Sequence, residues 1–133
     1  MKHNYETIVI GGGHAGVEAS MIASKTGCRV GLVSMDKQSI GRMSCNPAIG
    51  GVAKGQIVRE IDILGGLMGR IADKSGLQFK VLNKSKGRSV WSPRAQIDKR
   101  KYEERVSKIV LSGEGISFIK GEVVSLIIKK NST

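Results

Sequence analysis

Cysteine is nearly absent: two of 133 residues. Cys28 and Cys45 do not make the framework of paired bridges that staples small secreted domains. Both are therefore expected to be reduced thiols in a cytoplasmic protein. Aromatic residues are scarce too, at 4%, which leaves the core to aliphatic side chains. No run of about 18 apolar residues occurs, so no membrane-spanning helix is expected. The apolar run in the N-terminal MKHNYETIVIGGG is too short for a secretory signal and passes directly into a glycine-rich loop. No cluster has metal-ligand spacing, and there is no internal repeat or low-complexity tract, so no metal site is expected. Acids are the minority charge, 11 against 22 Lys and Arg, for a net charge of +11.

What is present bounds the fold. A chain of this length buries roughly two thirds of its unfolded surface in one domain. Tyr5–Ile10 is a short β-branched run that ends in GGGHAG, residues 11–16. Gly11, Gly13 and Gly16 match G-x-G-x-x-G. The stretch VEASMIASKT then reads as a helix with Gly27 placed to cap its end, and Arg29–Ser34 as a second strand. This β-turn-α-β frame predicts a dinucleotide site. Gly11 permits the tight turn, Gly13 lets a pyrophosphate approach the backbone, and Gly16 lets helix and strand pack closely. The helix N-terminus presents free N–H groups and about half a positive charge to the anion. Asp36, twenty residues past Gly16, is the candidate ribose ligand; the alternative reading puts it one or two positions too late, in the turn, with Ser34 holding the strand end. His14 reads as a helix-entry residue rather than a catalytic one, and Cys28 as a small buried hydrophobe.

Ile40–Lys54, IGRMSCNPAIGGVAK, shows little periodicity and reads as a loop. Pro47 pushes Asn46 out of the helical region. A helix is expected over Val52–Leu64, with Ile57, Ile61 and Leu64 on one stripe. Cys45 thus lies on a loop leading to a helix N-terminus, near Arg42 and Lys54, which lower a thiol pKa and favour the thiolate. The competing reading is a loop cysteine without chemistry. From Lys74 to Lys108 there are eleven Lys and Arg against three acids, a block suited to a phosphate-rich partner or to a solvated face. Gln96–Leu111 reads as a helix, and Ile116–Ile119 with Val123–Ile128 as a strand pair. The expected fold is α/β, a partial three-layer domain with a parallel sheet and an additional strand pair.

Five motifs run in order through nearly the whole chain: GGGHAG at 11–16, GRMSCNPAIGG at 41–51, KGQIVREIDILGGLMGRIAD at 54–73, LQFKVLNKSKG at 77–87 and RAQIDKRKY at 94–102. Together they resemble the MnmG flavoprotein family, also called GidA. The resemblance implies a Rossmann-like FAD-binding domain in an enzyme that places a carboxymethylaminomethyl group on carbon 5 of the tRNA wobble uridine. It implies the GTPase MnmE as partner, a homodimer, NADH as reductant and methylenetetrahydrofolate as one-carbon donor. By the same resemblance Gly11, Gly12, Gly13, His14, Ala15 and Gly16 hold the FAD pyrophosphate, Val123 touches the adenine end, and Cys45 is the catalytic cysteine, attacking carbon 6 of uridine. The family's GPAV is Gly87-Arg88-Ser89-Val90 here. Family members are several hundred residues long, so residues 1–133 correspond to the N-terminal portion of the FAD-binding domain, a portion expected to be inactive alone. Two other functions fit part of the pattern: a folate- and FAD-dependent tRNA uridine methyltransferase, and a truncated non-catalytic nucleotide- or RNA-binding remnant.

Overall fold

The computed structural model describes residues 4–43 and 46–128. Strand β1 (Thr7–Ile10), helix α1 (His14–Lys25) and strand β2 (Val30–Ser34) form the expected unit. The helix starts three residues earlier than its apolar pattern suggests, because its first turn is made by the glycine motif itself. It ends where Gly27 was expected to end it. The Gly27 N–H bonds the Ser24 carbonyl (2.9 Å) and the Cys28 N–H bonds the Ala23 carbonyl (3.1 Å), which satisfies two otherwise free carbonyls.

Strands β1 and β2 are parallel, and a later strand, β6 (Ile116–Lys120), adds to the far side of β2. Val9, Leu32 and Phe118 stand in one cross-strand row. Their face meets Val17 of α1 and, through one apolar cluster, Tyr102, Val106 and Val110 of helix α4 (Lys99–Ser112). The opposite face carries Ile8 and Ile10, which are 58% and 55% exposed. Alternation along β1 therefore divides one buried face from one open face. The core is aliphatic as the composition requires, with Tyr102 its one fully buried aromatic among the described residues.

Between β2 and α4 the chain builds a second sheet that the sequence did not suggest. Strand β3 (Ala48–Gly50) lies inside the stretch read as a loop, and it is too short to show a period of two. Helices α2 (Lys54–Ile63) and α3 (Met68–Ser75) follow, then β4 (Gly76–Leu82) and β5 (Ser92–Ile97). The sheet is antiparallel with order β3-β5-β4. Gln96 and Ile97 belong to β5, so α4 begins at Lys99. Asp98 caps it by accepting from the Lys101 N–H at 3.2 Å. The expected strand over Val123–Ile128 is not formed: of that strand pair only β6 exists, and it pairs with β2 instead. Val124, Leu126, Ile127 and Ile128 are largely exposed, so hydrophobic character without a partner strand did not produce a ladder.

Several contacts join the two halves, and one of them is made by a carboxylate. Glu18, in the second turn of α1, accepts N–H bonds from Leu67 (3.0 and 2.9 Å) and from Met68 (2.6 Å). Its carboxylate thereby serves as the N-terminal cap of α3, which has no capping side chain of its own.

Candidate dinucleotide-binding site

All strands of the first sheet run parallel, so their carboxyl ends share one edge, which carries the glycine loop and the residues around Asp36. The loop after β1 is fixed by a bond from the Gly11 N–H to the Val33 carbonyl (2.8 Å) and by one from the Gly41 N–H to the Gly12 carbonyl (2.8 Å). Gly11 has φ +100°, a conformation that side chains disfavour. A Cβ on Gly16 would lie 1.9 Å from the Gly11 carbonyl oxygen, so helix and turn approach as closely as a bare backbone allows. A Cβ on Gly13 would meet nothing within 4 Å. The three glycines thus divide into turn, open approach and close packing, the division that the motif implies. Gly13 is the N-cap of α1 without a side-chain cap, and no acid lies in the first turn. The first N–H groups of the helix, including those of His14 and Ala15, are left for an anion. The open space at Gly13 and the uncapped helix end together fit a pyrophosphate.

Ser34 is the last residue of β2. A Cβ on Gly12 would come within 3.1 Å of its hydroxyl oxygen, which also hydrogen-bonds the Ser39 hydroxyl at 3.1 Å. Asp36 lies two residues further, exposed, with its Oδ1 accepting from the Gln38 N–H at 3.1 Å. Val123 lies three residues beyond β6, and the Gly121 N–H bonds the Ser34 carbonyl at 3.1 Å, which turns the chain back toward β2. Asp36 and Val123 are therefore on the same edge as the glycine loop.

His14 packs its ring on Tyr102, with centroids 5.7 Å apart, and its Nε2 is buried without a partner among the described residues. Burial holds its pKa below the ordinary histidine value, against the opposing pull of Glu18 and Glu103, so the imidazole is neutral near pH 7. The side chain lines a cavity of about 570 Å³ with Met43, Asn46, Lys54 and Arg94. A second cavity, about 670 Å³, lies against the antiparallel sheet and includes Arg59, Lys80, Lys84 and, again, Arg94. Cys45 lies outside the described residues. Cys28 is a half-buried free thiol, with its Sγ 3.9 Å from the Thr26 hydroxyl. Sequence reasoning missed Glu18 and Arg94. Neither carries a spacing signal, because each acts on residues distant along the chain. Among the described residues no group of His, Cys, Asp and Glu could hold a metal, and no helix is long and apolar enough to cross a membrane.

A parallel strand, a glycine turn and an uncapped helix define a Rossmann-type dinucleotide-binding fold. Within that class, residues 6–133 match the family described as Glucose inhibited division protein A, and the chain belongs to it. It is 50% identical over 127 residues to the tRNA uridine 5-carboxymethylaminomethyl modification enzyme MnmG of Aquifex aeolicus, covering 96% of this chain and 21% of that protein. The enzyme of the same name from Karelsulcia muelleri is 50% identical over 125 residues. Among solved structures, Aquifex aeolicus GidA in the form I crystal superposes with a TM-score of 0.92 at 49% identity, over 97% of this chain and 22% of that one. The chain spans about a fifth of the length of these relatives.

Proposed function

We propose that these 133 residues are the N-terminal portion of an FAD-binding domain in an enzyme that modifies carbon 5 of the tRNA wobble uridine with a carboxymethylaminomethyl group. The observation that carries this reading is the glycine loop: an open Gly13 at an uncapped helix end, in a chain of the GidA family. The backbone N–H groups at the start of α1 hold the FAD pyrophosphate, Asp36 faces the ribose with its free carboxylate oxygen, and Val123 borders the adenine. Bound FAD supplies two-electron redox chemistry. Neutral His14 stands at the same helix end, packed on Tyr102, with a nitrogen unpartnered among the described residues. Cys45 is the nucleophile: its thiolate adds to carbon 6 of uridine, so that carbon 5 becomes the attacking atom. Met43 and Asn46, its near neighbours in sequence, line the cavity that His14 lines, which supports the assignment.

The same reading assigns NADH as reductant, methylenetetrahydrofolate as carbon donor, MnmE as GTPase partner, a homodimeric state and a cytoplasmic site of action. In this reading residues 1–133 supply the flavin cradle. The test is a titration of the chain with FAD, followed by flavin fluorescence. Saturable binding is expected, with loss of binding in Gly13→Val. Equal binding by both proteins would remove the glycine loop from the site.

A further inference from the structure

The chain has one tryptophan, Trp91, and places it outside the core, 39% exposed, at the end of the link between β4 and β5. From Lys74 to Ile97 the sequence holds six Lys and Arg and no acid. Packing does not account for an exposed indole in the most basic part of an aromatic-poor protein. The ring is nevertheless held in place. Its Nε1–H donates to the Lys84 carbonyl (3.3 Å), its backbone N–H bonds the Arg88 carbonyl (3.2 Å), and the next residue, Ser92, is fully buried. The Arg88 guanidinium carbon lies 5.8 Å from the ring centroid, a cation–π distance.

We propose that Trp91 and Arg88 form a stacking platform for an unpaired nucleotide of the RNA substrate, next to the nucleotide that is modified. The proposal rests on the reading of the substrate as tRNA. A base needs a free face to stack, so the ligand is a single-stranded loop nucleotide and not a paired one. An indole that is 39% exposed, with a guanidinium over its ring, supplies that partner. Lys80, Lys84 and Lys86 flank the platform and have no ion-pair partner among the described residues, which suits them to the adjoining phosphates. The position suits the reaction. Lys84, whose carbonyl the indole bonds, lines the larger cavity, and that cavity shares Ile49, Gly50, Val58 and Arg94 with the smaller one that His14 lines.

The sole tryptophan is its own reporter. The chain is titrated with labelled single-stranded oligouridylate, with anisotropy of the label and tryptophan fluorescence recorded together, and separately with inorganic polyphosphate. Quenching by RNA that saturates with the anisotropy is expected, and polyphosphate should bind without quenching. Trp91→Leu should weaken RNA binding about tenfold, whereas Trp91→Phe, which keeps a stacking face, should stay within about threefold. RNA binding without quenching would overturn the platform and leave the tRNA reading standing. Equal quenching by polyphosphate would also overturn it, as would unchanged binding by Trp91→Leu. Absence of any RNA anisotropy change would overturn both readings at once.

Discussion

Replacing Gly13 or Gly16 by alanine adds the same methyl group to the same motif, yet the structure separates the two outcomes. A Cβ on Gly16 would sit 1.9 Å from the Gly11 carbonyl oxygen. Ordinary contact begins at 3.4 Å, so more than an ångström of overlap must be relieved by backbone movement. That movement displaces either α1 from β1 or the turn from its bond to Val33. Overpacking of this kind destabilises by about 1–3 kcal/mol. At Gly13 the added methyl meets nothing within 4 Å, and the backbone is extended (φ −69°, ψ −177°), where alanine is at ease. Removing a glycine from the unfolded chain there stabilises by about 0.4–1 kcal/mol. Thermal unfolding followed by circular dichroism should show Gly16→Ala lowered by several degrees, at about 3–5 °C per kcal/mol for a domain of this size. Gly13→Ala should melt close to the parent temperature, because the gain from the unfolded chain offsets the poorer fit of alanine at the N-cap position. Flavin binding should be lost in Gly13→Ala all the same, because the methyl fills the approach of the pyrophosphate. A Gly13→Ala protein that melts well below the parent would refute the division of roles. So would a Gly16→Ala protein of parent stability.

Glu18→Ala should destabilise by about 2 kcal/mol in urea denaturation, since it strips α3 of a charged cap with three N–H contacts, and Glu18→Gln by about half that. Because burial depresses the His14 pKa below its unfolded value, His14 contributes stability that is present above about pH 6.5 and is lost as pH falls through the lower folded value. His14→Gln should flatten the stability profile between about pH 5 and 7, and an unchanged slope would assign it to other groups. Alkylation by iodoacetamide at neutral pH should modify Cys45 faster than Cys28, measured by mass spectrometry of the intact chain and of Cys28→Ser. Equal rates would mark Cys45 as an unactivated thiol.

The β1–α1–β2 unit was legible because each of its signals is local: a β-branched run, three glycines at fixed offsets and a C-terminal glycine. The antiparallel sheet was not, for a physical reason. Strand β3 is three residues long, and β4 is exposed on both faces, so neither shows the alternation that reveals a half-buried strand. Gln96 and Ile97 continue the apolar spacing of α4 and were read into it, although Asp98 ends the strand by capping the helix. Val123–Ile128 misled in the opposite direction: the residues are strand-like, but a strand needs a neighbour, and β6 had already paired with β2. The glycine loop and the strand end near Asp36 follow from the local β1–α1–β2 frame, whereas Val123 was reached only through the family resemblance. The contributions of Glu18 and Arg94 were not legible, because each depends on how two units pack.

Arg94 shows what that packing achieves. It stands at the centre of β5, opposite Gly50 of β3 on one side and Lys80 of β4 on the other. A Cβ on Gly50 would lie 2.3 Å from the Pro93 carbonyl oxygen, so that position has no room for a side chain. On the β4 side Lys80 continues the row toward the basic link. The central strand of a three-stranded sheet has both edges bonded and is the least free to move. A guanidinium mounted there lines the cavity that His14 lines and the cavity that Lys84 lines at once. Displacement of β5 would therefore alter both cavities together. Substitutions that loosen this strand should impair flavin and RNA binding in parallel, whereas substitutions in the glycine loop or at Trp91 should impair one and spare the other.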